Sequence, residues 1–246
     1  MWLSCFYILV PNRAAVTFGL ESANVVGYNT MTETVGGFNF YAPSFVGVNS
    51  DMSLQDIKLR GEGIAEGAVS LQKLDEGGVT LGEYTWYDAN NSPAGEEGWF
   101  DWSTFGLAEG TVTQGEGVLI ASGEDVSNLS IMNSGAVSKE ETKITTVAGF
   151  NFTGNASPVA IDIQDIKLVD SSNLVGEGKA SLQFLDEGGV TTIEYTWYDA
   201  NNSPAGEEGW FDWSTFSLAE GDIDPSQGFL VSSEIAGVII KMPAAL

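Results

Sequence analysis

The stretch SLQKLDEGGVTLGEYTWYDANNSPAGEEGWFDWSTFGLAEG occupies residues 70–110, and it returns almost unchanged at residues 181–221. The second copy follows the first at an offset of 111 residues. Only four aligned pairs differ: Lys73/Phe184, Leu81/Thr192, Gly82/Ile193 and Gly106/Ser217. A copy of this length is too long for a short solenoid repeat. It predicts a whole folding unit that the chain uses twice.

Shorter matches extend the two copies in both directions. Gly37–Phe40 (GFNF) matches Gly149–Phe152, and Gln55–Leu59 (QDIKL) matches Gln164–Leu168. These matches predict three parts: an N-terminal arm or residual signal at residues 1–22, a first unit at 23–135 and a second unit at 136–246. Each unit has roughly 110 residues, which is enough to bury a hydrophobic core of its own.

The local pattern predicts β structure throughout. The chain has 30 glycines and many short apolar runs separated by turn residues, as in β-sandwiches and barrels. We therefore expect an all-β protein with two tandem β-sandwich domains of the jelly-roll or immunoglobulin-like kind and an N-terminal strand arm.

Two kinds of strand pair are expected within each unit. Ser70–Leu74 and Val79–Tyr87 flank Asp-Glu-Gly-Gly, whose glycines permit the positive φ of a tight turn. Each unit should then end on a closing pair of strands, which we place at Gly117–Ser122 with Asn128–Met132 and at Gly228–Ser233 with Val238–Met242.

Charge and rare residues restrict the function. The 34 acidic residues outnumber 9 basic ones, and the net charge is −25. This argues against binding to nucleic acids or anionic bilayers, which need clustered Lys or Arg. The chain has no histidine, and its single cysteine is Cys5, so no His-based catalysis and no intrachain disulfide are available. We expect no enzyme, and the apolar run Trp2–Val10 is too short for a transmembrane helix.

An acidic loop in each repeat is a candidate calcium site, because calcium takes six to eight oxygen ligands. The spacing of the first loop begins like an EF-hand, but Pro93 stands at the sharp-turn glycine position and Trp99 at the bidentate glutamate position. A solvated acidic loop is the alternative. The candidate ligands are Asp88, Asn90, Glu96, Asp101, Asp199, Asn201, Glu207 and Asp212.

Repeated tryptophans give a second candidate site. Tryptophan rings flanked by Asp and Asn suit stacking on sugar rings, but large rings also fill small β cores, with the indole N–H bonded to a loop carbonyl. Core or inter-domain packing is therefore the alternative to glycan contact. The candidate glycan-contacting residues are Trp86, Trp99, Trp102, Trp197, Trp210 and Trp213.

The chain resembles a known group of proteins. The order Ala-Asn-Val-Val-Gly-Tyr at residues 23–28, then Gly-Phe-Asn-Phe, then a Gly-x-Gly strand near the end of the unit is similar to uncharacterised secreted bacterial surface proteins with tandem, Gly- and Trp-rich β domains. The resemblance implies an extracellular or cell-surface location in a bacterium, and it brings no catalytic residues.

These observations lead to an expected function as the structural subunit of an extracellular filament or surface layer. Gly135–Lys139 should pair with both units, whereas the corresponding edge of unit two should be left open. The arm Met1–Leu20 of another subunit would add a strand there, giving head-to-tail homopolymers. The expected interface residues are Leu3, Phe6, Ile8, Val10, Val25, Val26 and Tyr28. The arm can instead fold back on its own unit or be a signal that is removed.

The alternative function is a secreted glycan-binding adhesin module that uses the repeated Trp/Tyr/Asp loop. The sequence favours the structural subunit. Self-assembly without a ligand would support it, whereas glycan-array binding that is lost in Trp99→Ala would favour the adhesin module.

Overall fold

A computed structural model describes residues 26–34, 36–47 and 51–245 of the protein. The described residues are all-β: antiparallel sheets contain most of them, and the helical segments are two three-residue 3-10 turns at Leu54–Asp56 and Ile163–Asp165. The prediction of an all-β fold is therefore confirmed. Nowhere in these ranges does a helix reach the length and hydrophobicity needed to cross a membrane.

The first half of the chain contains eleven strands. Their bounds are β1 (Val26–Thr34), β2 (Gly37–Tyr41), β3 (Met52–Ser53), β4 (Lys58–Glu62), β5 (Glu66–Leu74), β6 (Thr80–Tyr87), β7 (Gly98–Asp101), β8 (Gly106–Leu107), β9 (Thr111–Val112), β10 (Val118–Ser122) and β11 (Ser127–Ala136). They form a six-stranded sheet in the order β2-β10-β5-β6-β7-β8, a three-stranded sheet β1-β11-β4 and the short pair β3-β9.

The second half contains another eleven strands. Their bounds are β12 (Thr142–Thr145), β13 (Gly149–Gly154), β14 (Ile161–Asp162), β15 (Lys167–Val169), β16 (Glu177–Leu185), β17 (Thr191–Tyr198), β18 (Gly209–Asp212), β19 (Ser217–Leu218), β20 (Asp222–Ile223), β21 (Gly228–Ser233) and β22 (Ile239–Met242). The sheet orders are β13-β21-β16-β17-β18-β19, β12-β22-β15 and β14-β20. These orders reproduce those of the first half strand for strand.

Each half has its own hydrophobic cluster. The cluster of the first half includes Leu71, Trp86 and Ile131, and that of the second includes Leu182, Trp197 and Ile240. In both halves the buried side chains come mainly from the six-stranded sheet, the three-stranded sheet, the short strand pair and the 3-10 turn. Apolar burial of this kind is the main favourable term in folding.

The hairpin expected at residues 70–87 is present. β5 and β6 are antiparallel, with Leu71 opposite Tyr84, and the turn is closed by hydrogen bonds from the backbone N–H groups of Gly77 and Val79 to Asp75 Oδ1. Gly78 has a φ of 78°, which is the left-handed conformation that glycine adopts without penalty.

The expected closing pairs are wrong. β10 pairs with β2 and β5, whereas β11 pairs with β1 and β4. β21 and β22 likewise lie in different sheets. The turn at Gly123–Val126 therefore carries the chain from one sheet to the other, and each of the two strands buries a face in the core between them.

The expected junction between the units is also corrected. Ala136 ends β11, and the first strand of the second half is β12, which pairs with β22. β12 thus takes the place beside β22 that β1 takes beside β11. The strand position that we expected to be open beside the last strand is occupied by the chain itself.

The two halves contact each other reciprocally. The backbone N–H of Phe38 donates to the carbonyl of Glu187 at 2.8 Å, and the N–H of Phe150 donates to the carbonyl of Glu76 at 3.0 Å. The hairpin turn of each half therefore lies against the start of β2 or β13, the strand that begins the six-stranded sheet of the other half. Since the hairpin turns belong to the near-identical block, this contact gives both copies the same neighbour.

The edges of the two six-stranded sheets meet at the centre of this contact. Gly117 N–H donates to the carbonyl of Phe152 at 2.9 Å, and Ala42 N–H donates to the carbonyl of Ser226 at 3.1 Å. A Cβ atom at Gly117 would lie 2.7 Å from the backbone nitrogen of Thr153. Glycine is thus required here by the close approach of two backbones.

A buried polar cluster locks one side of the contact. Ser226 Oγ lies 2.6 Å from Ser44 Oγ, and Asn133 Nδ2 donates to Ser226 Oγ at 3.3 Å and to Tyr41 Oη. All four residues are buried. Ser226 comes from the second half and the other three come from the first, so the cluster ties the halves together by side-chain hydrogen bonds.

Candidate functional site

Four of the six candidate tryptophans lie in the cores. Trp86 and Trp99 form an edge-to-face pair with ring centroids 5.2 Å apart, and Trp197 and Trp210 form an equivalent pair at 5.2 Å. All four are buried. The glycan-contact prediction is therefore corrected for these four rings, because a ring buried on both faces cannot stack on a ligand.

The indole N–H groups of Trp99 and Trp210 are bonded to backbone carbonyls. Trp99 Nε1 donates to the carbonyl of Ile57 at 2.9 Å, and Trp210 Nε1 donates to the carbonyl of Ile166 at 2.8 Å. Each acceptor follows a 3-10 turn in the QDIKL segment that both halves share. This is the carbonyl bonding expected of a core tryptophan.

A glutamine in the same segment holds strand β7 in place. Gln55 Nε2 donates to the carbonyls of Trp99 at 2.8 Å and Ala108 at 3.0 Å, while Gln55 Oε1 accepts from Trp99 N–H at 3.1 Å. Gln164 makes the same three bonds to Trp210 and Ala219. The QDIKL match did not predict this role, although the glutamine before Asp-Ile-Lys-Leu is repeated in both copies and was the available signal.

Trp102 and Trp213 differ from the other four because they lie on the outer surface. Each is 49% exposed. Each stands edge-to-face on a buried phenylalanine of the preceding strand, Phe100 or Phe211, with centroids 5.0 Å apart. Tyr87 and Tyr198 contact the same two rings from the neighbouring strand. A cluster of aromatic rings thus covers the outer face of β6–β7 and of β17–β18.

Each outer tryptophan is fixed in orientation. Trp102 Nε1 donates to Thr85 Oγ1 at 3.3 Å, and Trp213 Nε1 donates to Thr196 Oγ1 at 3.3 Å. Together with the ring contacts beneath, this bond holds the exposed indole before any ligand arrives. A group held in advance loses less conformational entropy on binding.

The fourth ring of each cluster was missed by the sequence analysis. Phe105 and Phe216 are 74% and 73% exposed, and each lies edge-to-face with its tryptophan at an interplanar angle of 81°. Their φ angles are 56° and 57°. The left-handed conformation costs a residue with a Cβ about 1–2 kcal/mol, so a bulky exposed side chain there is an outlier. No sequence pattern signals it.

We name these surfaces the aromatic platforms. The first platform consists of Tyr87, Phe100, Trp102 and Phe105, and the second consists of Tyr198, Phe211, Trp213 and Phe216. Their ring geometry agrees closely: each contact angle of the first platform recurs within a few degrees in the second.

Polar grooves lie in both halves; the lining of the second includes Trp213, whereas the lining of the first includes none of the four rings of the first platform. The first has a volume of about 650 Å³ and is lined in part by Tyr84, Glu96, Asp101 and Glu109. The second has a volume of about 380 Å³, and its lining is Thr192, Ile193, Glu194, Tyr195, Asp212, Trp213 and Ser214. No Lys or Arg lines either groove within the part of the chain that the structure describes.

The carboxylates beside the platforms are held ionised. Hydrogen bonds from the side chain and backbone of Ser103 lower the pKa of Asp101, and those of Ser214 lower the pKa of Asp212. Burial and then the nearby charge of Asp212 raise the pKa of Tyr195. The second groove therefore presents carboxylate acceptors and a neutral phenol beside the exposed ring of Trp213.

The candidate calcium ligands are used mostly to shape their loops. Asp88 Oδ1 accepts from the backbone N–H groups of Asn90 and Asn91 at 2.9 Å, and Asp199 Oδ1 accepts from those of Asn201 and Asn202. Glu96 and Glu207 are exposed. Across the described ranges, no three Asp, Glu or Cys side chains converge as metal ligands would.

The candidate interface residues fall mostly outside the description. Leu3, Phe6, Ile8, Val10 and Val25 lie outside the described residues. Val26 and Tyr28 belong to β1, where the backbone pairs them with Ala136 and Ser134 of β11.

Comparison with known proteins gives no relative. No family model matches the sequence, no curated protein matches it, and no solved structure matches the fold.

Proposed function

We propose that the protein is a non-catalytic glycan-binding module of the bacterial cell surface or extracellular space. The observation that carries this proposal is the presence of two equivalent platforms, each with a fixed, half-exposed tryptophan, of which Trp213 lines a polar groove. Sugar rings offer apolar C–H faces to aromatic rings and hydroxyl groups to carboxylates. In the second half, Trp213 and the carboxylates of Glu194 and Asp212 line the same groove.

The scaffold of the proposal is a pair of tandem β-sandwich domains at residues 23–135 and 136–246. Support comes from the matching strand orders and from the separate hydrophobic clusters. The reciprocal contact between the halves would keep the two platforms in one fixed relation. One protein molecule would then bind a polysaccharide at two points, which raises affinity by avidity.

The surface charge restricts the ligand. With a net charge of −25 and no basic residue in the described lining of either groove, an anionic polysaccharide would be repelled. Uncharged polysaccharides are therefore the ligands that this negatively charged surface fits best.

A glycan array followed by affinity electrophoresis in gels containing soluble β-glucan, xylan or mannan tests the proposal. We expect retardation of the native protein by at least one uncharged polysaccharide and loss of that retardation in the double variant Trp102→Ala/Trp213→Ala. The control is Val79→Thr/Val190→Thr, which removes two exposed apolar side chains away from the platforms. Absence of binding to every glycan would overturn the proposal.

A second candidate is the structural subunit of an extracellular filament or surface layer. The three-stranded sheet of the second half favours it, because β12 and β15 each have one neighbouring strand among the described residues. An outer edge of this kind can accept a strand from another chain. Negative-stain microscopy of the native protein, with and without calcium or added salt, tests this candidate, and strictly monomeric particles under all conditions would exclude it.

A further inference from the structure

Packing in a hydrophobic core does not explain the exposed positions of Phe105 and Phe216. They are the two most exposed large hydrophobic side chains among the described residues. Each lies in the turn between the last two strands of its six-stranded sheet, β7 and β8 or β18 and β19. A side chain so exposed adds little to a hydrophobic core.

The backbone at these positions favours glycine. At many other positive φ angles the chain has glycine, as at Gly95 and Gly206, where a left-handed conformation is free of penalty. Yet both copies have phenylalanine in the strained conformation. Strain that is kept at an exposed position is typical of binding sites.

The geometry gives each phenylalanine a place in the site. Trp102 and Phe105 stand at 81° to each other with ring centroids 6.5 Å apart, and Trp213 and Phe216 stand at the same angle at 6.2 Å. Two rings at nearly right angles form a corner with two apolar walls. A pyranose ring in that corner can contact one wall with its face and the other with its edge.

We propose that Phe105 and Phe216 are ligand-contacting residues, each forming the second wall of a two-ring corner that seats one sugar unit of an uncharged polysaccharide. This inference rests on the proposed glycan-binding function. It assigns a role to two residues that are separate from the tryptophans already considered.

The surroundings favour a sugar over a protein partner. The turn that bears each ring also carries hydroxyl groups: Ser103 and Thr104 in the first copy, and Ser214, Thr215 and Ser217 in the second. Thr215 Oγ1 and Ser217 Oγ lie 2.8 Å apart. A protein interface typically needs about 800 Å² of surface on each partner with an apolar centre, whereas these corners are small apolar spots within a polar surface.

The test separates a binding role from a structural one. We would replace both phenylalanines by glycine, Phe105→Gly/Phe216→Gly, and measure thermal unfolding together with affinity electrophoresis in the uncharged polysaccharide that retards the native protein. Glycine fits the left-handed backbone, so we expect an unchanged or higher Tm. We expect the dissociation constant to rise roughly tenfold or more, as for loss of a central aromatic contact.

Four outcomes have distinct meanings. A lower affinity with an unchanged or higher Tm supports the inference. Native affinity in this variant, combined with loss of binding in Trp102→Ala/Trp213→Ala, overturns the inference and leaves the proposed function intact. A markedly lower Tm shows that the rings are structural and overturns the inference as well. Failure of the native protein to bind any uncharged polysaccharide overturns both.

Discussion

Phe40 and Phe152 lie parallel across the boundary between the two halves, with ring centroids 6.3 Å apart and ring planes 7° from parallel. The two residues occupy equivalent positions in the copied Gly-Phe-Asn-Phe segments. Each ring therefore meets its own copy. A contact in which one surface meets its own equivalent is the intramolecular form of an isologous dimer interface.

The first prediction is that these two rings are energetically coupled. Phe40→Ala and Phe152→Ala should each lower the free energy of unfolding, and the double variant should lose less than the sum, with a coupling of about 0.5–1.5 kcal/mol. Urea denaturation of the native protein and the three variants measures this cycle. Strict additivity would show that the stack contributes nothing beyond the burial of each ring.

The second prediction concerns the glycines at the same boundary. A Cβ at Gly228 would lie 2.6 Å from the backbone carbonyl carbon of Phe40, and one at Gly117 would meet backbone atoms of Thr153. Because backbone atoms cannot rotate away, Gly117→Ala and Gly228→Ala should each destabilise the contact by several kcal/mol, as overpacking does.

The matched control for the glycines is Gly106→Ala. A Cβ at Gly106 would find a single neighbour, the side-chain Oγ1 of Thr104 at 3.9 Å, and the second copy has Ser217 at this position. We expect its Tm to equal that of the native protein. Equal Tm values for Gly228→Ala and Gly106→Ala would show that the backbones do not approach as closely as described.

The third prediction concerns Gln55. Gln55→Ala removes the acceptor of the Trp99 backbone N–H and the side-chain donor of the Ala108 carbonyl, whereas the Trp99 carbonyl keeps its bond from the Ala108 backbone N–H. Leaving such groups unpaired costs about 1–3 kcal/mol each, so Gln55→Ala and Gln164→Ala should be clearly destabilised in urea denaturation. Gln72→Ala is the control, since the side chain of Gln72 bonds to the exposed Glu83 side chain. If Gln55→Ala and Gln72→Ala unfold alike, Gln55 does not hold β7.

Much of the fold follows from residue patterns, because the signals are local. The Asp-Glu-Gly-Gly turn places strands on both sides of it, and β5–β6 forms as predicted. The assignment of β10 and β11 to different sheets is not local. It depends on which of several strands pairs with β10 and which pairs with β11. The residue types of the loop at Gly123–Val126 fit a hairpin turn as well as a connection between two sheets.

The candidate site was predicted only in part for a similar reason. Side chains alternate between the two faces of a strand, so a tryptophan in a strand faces either the core or the solvent. The sequence pattern predicted one role, glycan contact, for all six tryptophans. The structure divides them by strand parity, since Trp99 points inward and the next residue, Phe100, lies under the outer ring of Trp102. The positive φ of Phe105 is set by the turn that joins β7 to β8. No residue type in this turn predicts a positive φ at that position.

The last prediction concerns pH and the buried hydroxyl of Tyr41. Burial raises the pKa of Tyr41, and hydrogen bonds from Asn133 and Ser226 offset only part of this rise. In the unfolded chain a tyrosine ionises near pH 10. Above that pH the unfolded state releases a proton that the folded state keeps, so the stability contribution of the neutral phenol is complete below about pH 10 and falls as the pH rises further.

The slope of this loss distinguishes Tyr41 from its neighbours. One such group lowers the free energy of unfolding by at most about 1.4 kcal/mol per pH unit above pH 10. Denaturant titrations at pH 8 to 11 should show a shallower alkaline loss in Tyr41→Phe than in the native protein, although the variant is less stable at pH 8. Ser44→Ala removes a partner from the same cluster without removing a titratable group, so its alkaline slope should match that of the native protein. If Tyr41→Phe keeps the native slope, the phenol of Tyr41 ionises in the folded protein, and the polar cluster at the boundary between the halves is open to water.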